Sequence, residues 1–168
     1  MEELSFRFRT AILEDVPRMA QFAGTSLAHP EGKARRASFR SSAQRGELLL
    51  LERYESKTRD WKVSAFIDWH IRVDDILTIR DVGTEGQSPH SGMVKQLLME
   101  LLRSLAPLEM TAKARSDAAD WNELLRSIPG FDLEGTEYRR PPWINVWRWT
   151  REAAAQAERS ARGQRPRR

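Results

Sequence analysis

Apolar and polar residues alternate from Ser5 to Ala11, with Phe6 and Phe8 on one side and Arg7 and Arg9 on the other. A period of two predicts a strand with one buried face. Glu14 and Asp15 then precede Pro17, acids and a proline where the first turn of a helix favours them. Val16, Met19, Ala20, Ala23 and Leu27 follow at helical spacing, a single apolar stripe that His29-Pro30-Glu31-Gly32 breaks. Lys33 to Arg45 predicts a weaker helix, rich in Arg and Ser, with Ala34, Ala37 and Phe39 as its few apolar residues. Charge runs of this kind usually face water; the alternative is a rim of a substrate opening.

Gly46 ends that helix. Glu47 to Tyr54 is an apolar run of strand length, Ser56 to Asp60 turns the chain, and Trp61 to Ile71 returns it as an antiparallel hairpin. After a turn at Arg72 to Asp75 comes the stretch around which the chain is organised. It holds a strand (Ile76 to Val82), a polar loop with Gly83, Gly86, Pro89 and Gly92, and a helix. Val94, Leu97, Leu98, Leu101, Leu102 and Leu105 give that helix a broad stripe that must be buried. Leu108 to Ala114 predicts a strand, and Ser116 to Arg126 a helix with Ser116 or Asp117 at its N-cap. Phe131 to Tyr138 and Ile144 to Thr150 close the chain as two strands. On the last of these, Ile144, Val146 and Arg148 share one face, and Trp147 and Trp149 the other. The apolar runs are too long for one-sided burial, so the order of elements predicts an α/β (α+β) fold with helices on both faces of a mixed sheet.

Composition narrows this further. At 168 residues with 40% hydrophobic and 31% charged side chains, the chain is long and apolar enough for one domain over residues 1–150. It has no cysteine, which excludes disulfides, thiolate nucleophiles and cysteine metal sites. No apolar run approaches the roughly 18 residues that span a bilayer, and the N-terminus is unlike a signal peptide, so a soluble cytoplasmic protein with no membrane partner is expected. The net charge of +4 belongs to the tail. Arg151 to Arg168 holds six arginines and two glutamates, which leaves residues 1–150 formally neutral. A neutral body argues against nucleic acid as a partner except through this Arg-rich tail, which reads as a short helix fraying into disorder. Such a tail would suit a tether to RNA, ribosomes or an acidic membrane. The Trp-bearing final strand, if exposed, would offer an edge for a homodimer.

A loop between a strand end and a helix start gathers backbone N–H groups at the positive end of a helix dipole, a natural place to hold phosphate. Across about residues 5–150 the sequence resembles the GNAT acetyltransferase superfamily. FRFRTAILEDVPRMAQF is similar to that family's opening strand and helix. DVGTEGQSPHSG is similar to its central strand and acyl-CoA pyrophosphate loop, and WNELLRSIPGFDLEGTE to its late helix ending in Gly-Phe. The family loop has the form Gln/Arg-x-x-Gly-x-Gly/Ala. Counted from Val82, Gln87 takes the first position, His90 the first glycine and Gly92 the second. Counted back from Leu97 and Leu98, Gly92 takes the first glycine and Val94 the second. Either register replaces one glycine, so the loop is degenerate.

The resemblance implies a GNAT-like, mostly antiparallel sheet and an acyl-CoA-dependent N-acyltransferase, moving an acetyl group from acetyl-CoA or another acyl-CoA to a small-molecule or peptide amine. The alternative is a catalytically inactive GNAT-fold binding or regulatory module. It implies that Val82, Gly83 or Thr84 supplies a backbone N–H to the thioester carbonyl, and that Gln87, Ser88, His90, Ser91, Gly92 and Met93 surround the pyrophosphate. The tyrosine that many members carry before the Gly-Phe is absent from Leu124-Leu125-Arg126-Ser127. Tyr138 is the substitute candidate for the acid that protonates the thiolate, though a surface tyrosine at a strand end is the commoner reading. Asp81 is the leading candidate for the base, since an inward carboxylate on a strand needs a reason. Asp68 and His70, two apart on one face, are a second option. His29, His70 and His90 lack metal-ligand spacing, and no Gly-x-Ser-x-Gly or Walker-type loop occurs.

Overall fold

The computed structural model describes residues 5–24, 33–85, 92–138 and 140–163. Its strands are β1 (Phe6–Thr10), β2 (Ala23–Gly24), β3 (Leu48–Glu55), β4 (Asp60–Ile71), β5 (Leu77–Thr84), β6 (Glu109–Arg115), β7 (Phe131–Glu137) and β8 (Ile144–Thr150). Its helices are α1 (Val16–Met19), α2 (Lys33–Gln44), α3 (Gly92–Leu105), α4 (Ala119–Ser127) and α5 (Arg151–Gly163). One sheet runs β1-β3-β4-β5-β6-β8-β7, with β2 added to the edge of β5. Every neighbouring pair is antiparallel except β5 and β6. This is the expected mixed, mostly antiparallel sheet. Among the described residues no helix is long and apolar enough to cross a membrane.

Helices cover both faces over two separate cores. Val94, Leu97, Leu98 and Leu101 of α3 and Trp121, Leu124 and Leu125 of α4 bury against Leu51, Ile67, Leu77, Ile79 and Val82. Trp147 and Trp149 join them, as the alternation along the last strand predicts. On the opposite face Met19 of α1 and Phe39 of α2 pack on Leu48, Leu50, Val63 and Phe66. Phe39 meets Phe66 edge to face, ring centroids 4.9 Å apart. Strict alternation would put Val63 and Phe66 on opposite faces. A bulge that skips Ser64 in the pairing with β3 brings them together.

Several expectations are corrected. Phe6 and Phe8 are 39% and 40% exposed and Arg7 is exposed as well, so β1 has no buried face and only Arg9 is partly covered. Both guanidiniums bond Glu52, whose carboxylate is buried and must be compensated, and Arg9 also bonds Asp15 at 2.8 Å. The first helix is a turn of 3-10 helix plus α1, and it ends at Met19. Ala23 and Gly24, read as helical, pair with Thr84 and Gly83, because the edge of β5 offers ladder bonds where glycine disfavours a helix. Leu27 lies outside the described residues. The central strand extends to Thr84, so Gly83 and Thr84 belong to the sheet and not to the loop. At the N-cap of α4 stands Ala118; Asp117 is drawn off by Arg115 at 2.7 Å. The last strand is no edge, since β8 lies between β6 and β7. The tail helix starts at Arg151, runs to Gly163 and rests Ala154 on the larger core; 164–168 lie outside the described residues.

Candidate functional site

Strands β5 and β6 pair at only three registers, Leu77 with Met110, Thr78 with Thr111 and Ile79 with Ala112. The Thr78 and Thr111 hydroxyls lie 3.3 Å apart across this closed end. Beyond it both strands continue without a shared ladder, β5 to Thr84 and β6 to Arg115. The sheet therefore opens into a gap between the carboxyl ends of two parallel strands. β2 takes up the edge of β5 again at Gly83 and Thr84, and among the described residues none pairs with that edge at residues 80–82, which border the gap. Helix α3 begins at the same end of the sheet, and α4 begins just past β6. Gaps at the carboxyl ends of parallel strands, flanked by helix N-termini, favour anionic ligands through backbone N–H groups and the helix dipole.

Gly92 opens α3 and is exposed. A Cβ there would meet nothing within 4 Å, and its φ is not left-handed. Neither crowding by described residues nor backbone conformation therefore requires glycine at this exposed start of the helix. Met93 is half-buried and packs against the larger core. Gln87, Ser88, His90 and Ser91 lie outside the described residues. Val82 is buried, and its N–H donates to Asp81 Oδ1 at 2.9 Å. Gly83 and Thr84 lie opposite Phe66 and Ala65 of β4 on one side and Gly24 and Ala23 on the other.

The carboxylates are the chemical centre. Leu77 and Ile79 face α3, so strict alternation would send Asp81 the same way. Instead a bulge at Arg80 shifts the register between β4 and β5, and Asp81 comes to lie directly opposite Asp68. Asp68 lies two residues beyond Phe66, on the face covered by α2. The two aspartates are 1% and 2% exposed. Burial, the largest influence, pushes the Asp68 carboxyl up to about 7, against the opposing effects of Ser42 and Arg80 and with smaller help from Asp81 and Glu47. Asp68 Oδ1 and Ser42 Oγ are both buried without a hydrogen-bond partner. His70 shares the face of Asp68 but bonds elsewhere, with Nδ1 2.9 Å from Glu47 Oε1. Burial opposes charge on Glu47, yet hydrogen bonds from Arg45 and His70 prevail and hold its carboxyl below the usual range. Thus Asp81 and Asp68, read as separate candidates, are one pair, while His70 belongs to another cluster. Ser42 was missed; one serine in a Ser-rich helix carries no signal.

Tyr138 is 74% exposed and lies one residue past β7, with its ring 5.0 Å from that of Trp143. Arg115 and Glu137 are both in register with Ile144, so Tyr138 stands two strands across from the end of β6, whereas Trp143 adjoins it, its carbonyl accepting from the Ser116 N–H at 2.7 Å. Nearby, Ser116, Asp117, Pro141, Pro142 and Trp143 line a cavity of about 500 Å³. On α4 the positions that lack a tyrosine are occupied structurally. Leu124 and Leu125 are core residues, and the Ser127 hydroxyl donates to Leu124 O at 2.7 Å. Asn122, which sequence reasoning did not single out, ties α4 to the sheet. Its Oδ1 accepts from Asn145 and from Trp147 Nε1, each at 2.9 Å, and its Nδ2 donates to Arg115 O and Ala118 O at 2.8 Å. The signal was a polar residue inside an apolar helical stripe.

The fold is that of the GNAT acetyltransferases. A GNAT-family acetyltransferase from Bacillus cereus superposes with a TM-score of 0.68 at 11% identity, over 87% of this chain and 97% of that one. The ribosomal-protein-S18-alanine N-acetyltransferase of Escherichia coli gives 0.66 at 17%, over 87% and 94%. A putative acetyltransferase from Salmonella typhimurium, solved with its cofactor acetyl-CoA, gives 0.58 at 15%, over 89% and 94%. No family model and no curated protein matches the chain.

Proposed function

We propose that this protein binds an acyl-CoA and transfers its acyl group to a primary amine, on a small molecule or a peptide. The observation that carries the reading is the parallel pair β5–β6, which parts after three registers beside the N-terminus of α3. Acetyl-CoA has the shape and charge such a site favours: a thioester for the gap, and a pyrophosphate for the helix end that begins at the exposed Gly92. Acetyltransferases share the fold, and one of them was solved with acetyl-CoA. The acceptor amine then attacks the thioester carbonyl directly, with Asp81 on the bordering stretch of β5 to receive its proton.

A second reading, an acyl-CoA-binding module without turnover, has its own support. Helix α4 presents no tyrosine, and the Val82 N–H is engaged by Asp81. Calorimetric titration with acetyl-CoA, followed by thiol release with a panel of amines, tests both. Binding with turnover supports the transferase. Binding without thiol release on a broad panel supports the module. No binding at millimolar ligand would end both readings.

A further inference from the structure

Directly opposed carboxylates on neighbouring strands repel, with Cβ atoms about 5 Å apart in this geometry, and burial magnifies the effect. Two features show that Asp68 and Asp81 are placed by the fold. The bulge at Arg80 is what turns Asp81 onto the face of Asp68, and both side chains are almost fully buried. The two carboxyls have unlike surroundings. Asp81 Oδ1 receives the Val82 N–H, which favours charge there. Asp68 Oδ1 is buried without a donor, and the Ser42 hydroxyl and Arg80, which favour its ionised form, do not outweigh burial, so the setting suits a protonated carboxyl. Asp81 is on the strand that borders the gap, and Asp68 is one strand further away.

We propose that Asp68 and Asp81 act as a single proton acceptor, in which the proton leaving the acceptor amine ends shared between the two carboxylates. This rests on the transferase reading for its substrate, an amine that is protonated at neutral pH. One proton passes from R–NH3+ to the pair by way of Asp81. The freed lone pair forms the C–N bond and the C–S bond breaks with its electrons on sulfur. Sulfur collects the second N–H proton as thiol, and the pair later returns its proton to solvent. Asp81 is the catalytic residue; Asp68 is a positioning residue that raises the basicity of the unit above that of one aspartate. Other charges facing Asp68 are Arg80 on β5 and Glu47 before β3, and His70 on its own strand is occupied by Glu47, which Arg45 also bonds. Among the described residues none supplies a counter-charge hydrogen-bonded to Asp68 Oδ1.

The test is a carboxyl ¹³C NMR titration of the aspartate-labelled chain, with Asp68→Asn and Asp81→Asn beside the parent. The expected result is one carboxyl that titrates near neutrality in the parent and disappears in Asp68→Asn, and a second whose midpoint moves when its partner is replaced. Both titrating below pH 5, or neither responding to the other's replacement, overturns the shared proton. In transfer assays the parent's kcat/KM should rise with pH through a limb near 7. Asp68→Asn should move that limb to lower pH and lower the rate about tenfold or more with KM for acetyl-CoA unchanged. An unmoved limb overturns the role of Asp68 in transfer. The spectra need no cofactor, so failure to bind acetyl-CoA would count against the transferase reading alone, and the proton-sharing would still be decided.

Discussion

Replacing Asp68 with asparagine keeps the shape and removes the charge, which isolates what burying this carboxyl does to stability. Burial outweighs the groups that favour ionisation, and the carboxyl is pushed up to about 7 from 3.8. The folded protein therefore binds one proton more than the unfolded chain between these values. A raised acid pKa means stability that is present below the unfolded value and is lost as pH rises to the folded one. The loss is about 1.4 kcal/mol per pH unit, amounting to roughly 2–4 kcal/mol by pH 8 once relaxation around a buried charge is allowed for. In Asp68→Asn this contribution is gone. Parent and variant should match near pH 4, and the variant should be more stable by that amount at pH 8. Its amide can donate to Ser42 Oγ or to Asp81. Urea unfolding between pH 4 and 8.5, followed by the fluorescence of buried Trp121, Trp147 and Trp149, reads the difference for the Asp68–Asp81 pair, and titrating groups remote from the pair cancel. Parallel pH dependences for the two proteins would refute the reasoning.

Gly92→Glu should leave the unfolding midpoint within about 0.5 kcal/mol of the parent, because nothing lies within 4 Å of its Cβ, yet lower acetyl-CoA affinity at least tenfold in calorimetry. Unchanged affinity would remove the pyrophosphate from the start of α3. Gly130→Ala should cost about 3 kcal/mol or more in urea unfolding: φ is +101° and the new Cβ would fall 2.6 Å from Trp149 Nε1 and 2.8 Å from Ala154 Cβ. A loss below about 1 kcal/mol would mean that α5 and Trp149 move aside easily. Asn122→Ala should cost about 2–4 kcal/mol by the same measurement, as it strands the Asn145 and Trp147 donors and the Arg115 carbonyl in a mostly buried site. A neutral result would show that water replaces the amide.

Period-two and helical patterns made most of the architecture legible before any coordinates. The apolar stripe of α3 and the opposite placement of Trp147 and Val146 are direct readings of residue order. What residue order could not carry was the pair of bulges at Ser64 and Arg80, each of which reverses the facing of everything beyond it. Asp81 looked inward in sequence, but its partner became visible only when Arg80 dropped out of register. Phe6 and Phe8 misled for a related reason. Their alternation is genuine, but β1 is an edge strand with neither face buried, held to its neighbour through the ion pairs of Arg7 and Arg9 with the buried Glu52. Asp68 carried a weaker signal still, since nothing local separates a buried aspartate from a surface one.

The division of the interior into two cores also has a bearing on motion. The smaller core is held by α1, α2 and the chain between β1 and β3, while α3, α4 and the C-terminal strands close the larger one. Such units open independently, and the one with less buried apolar surface opens at the lower free energy. Phe39, Met19 and Phe22 could thus lift as a cooperative group while Leu97 and Leu98 stay shut. Asp68 sits beneath that group. Its encounter with solvent protons is then governed by how often the layer above it breathes, and amide exchange along α2 would mark that clock.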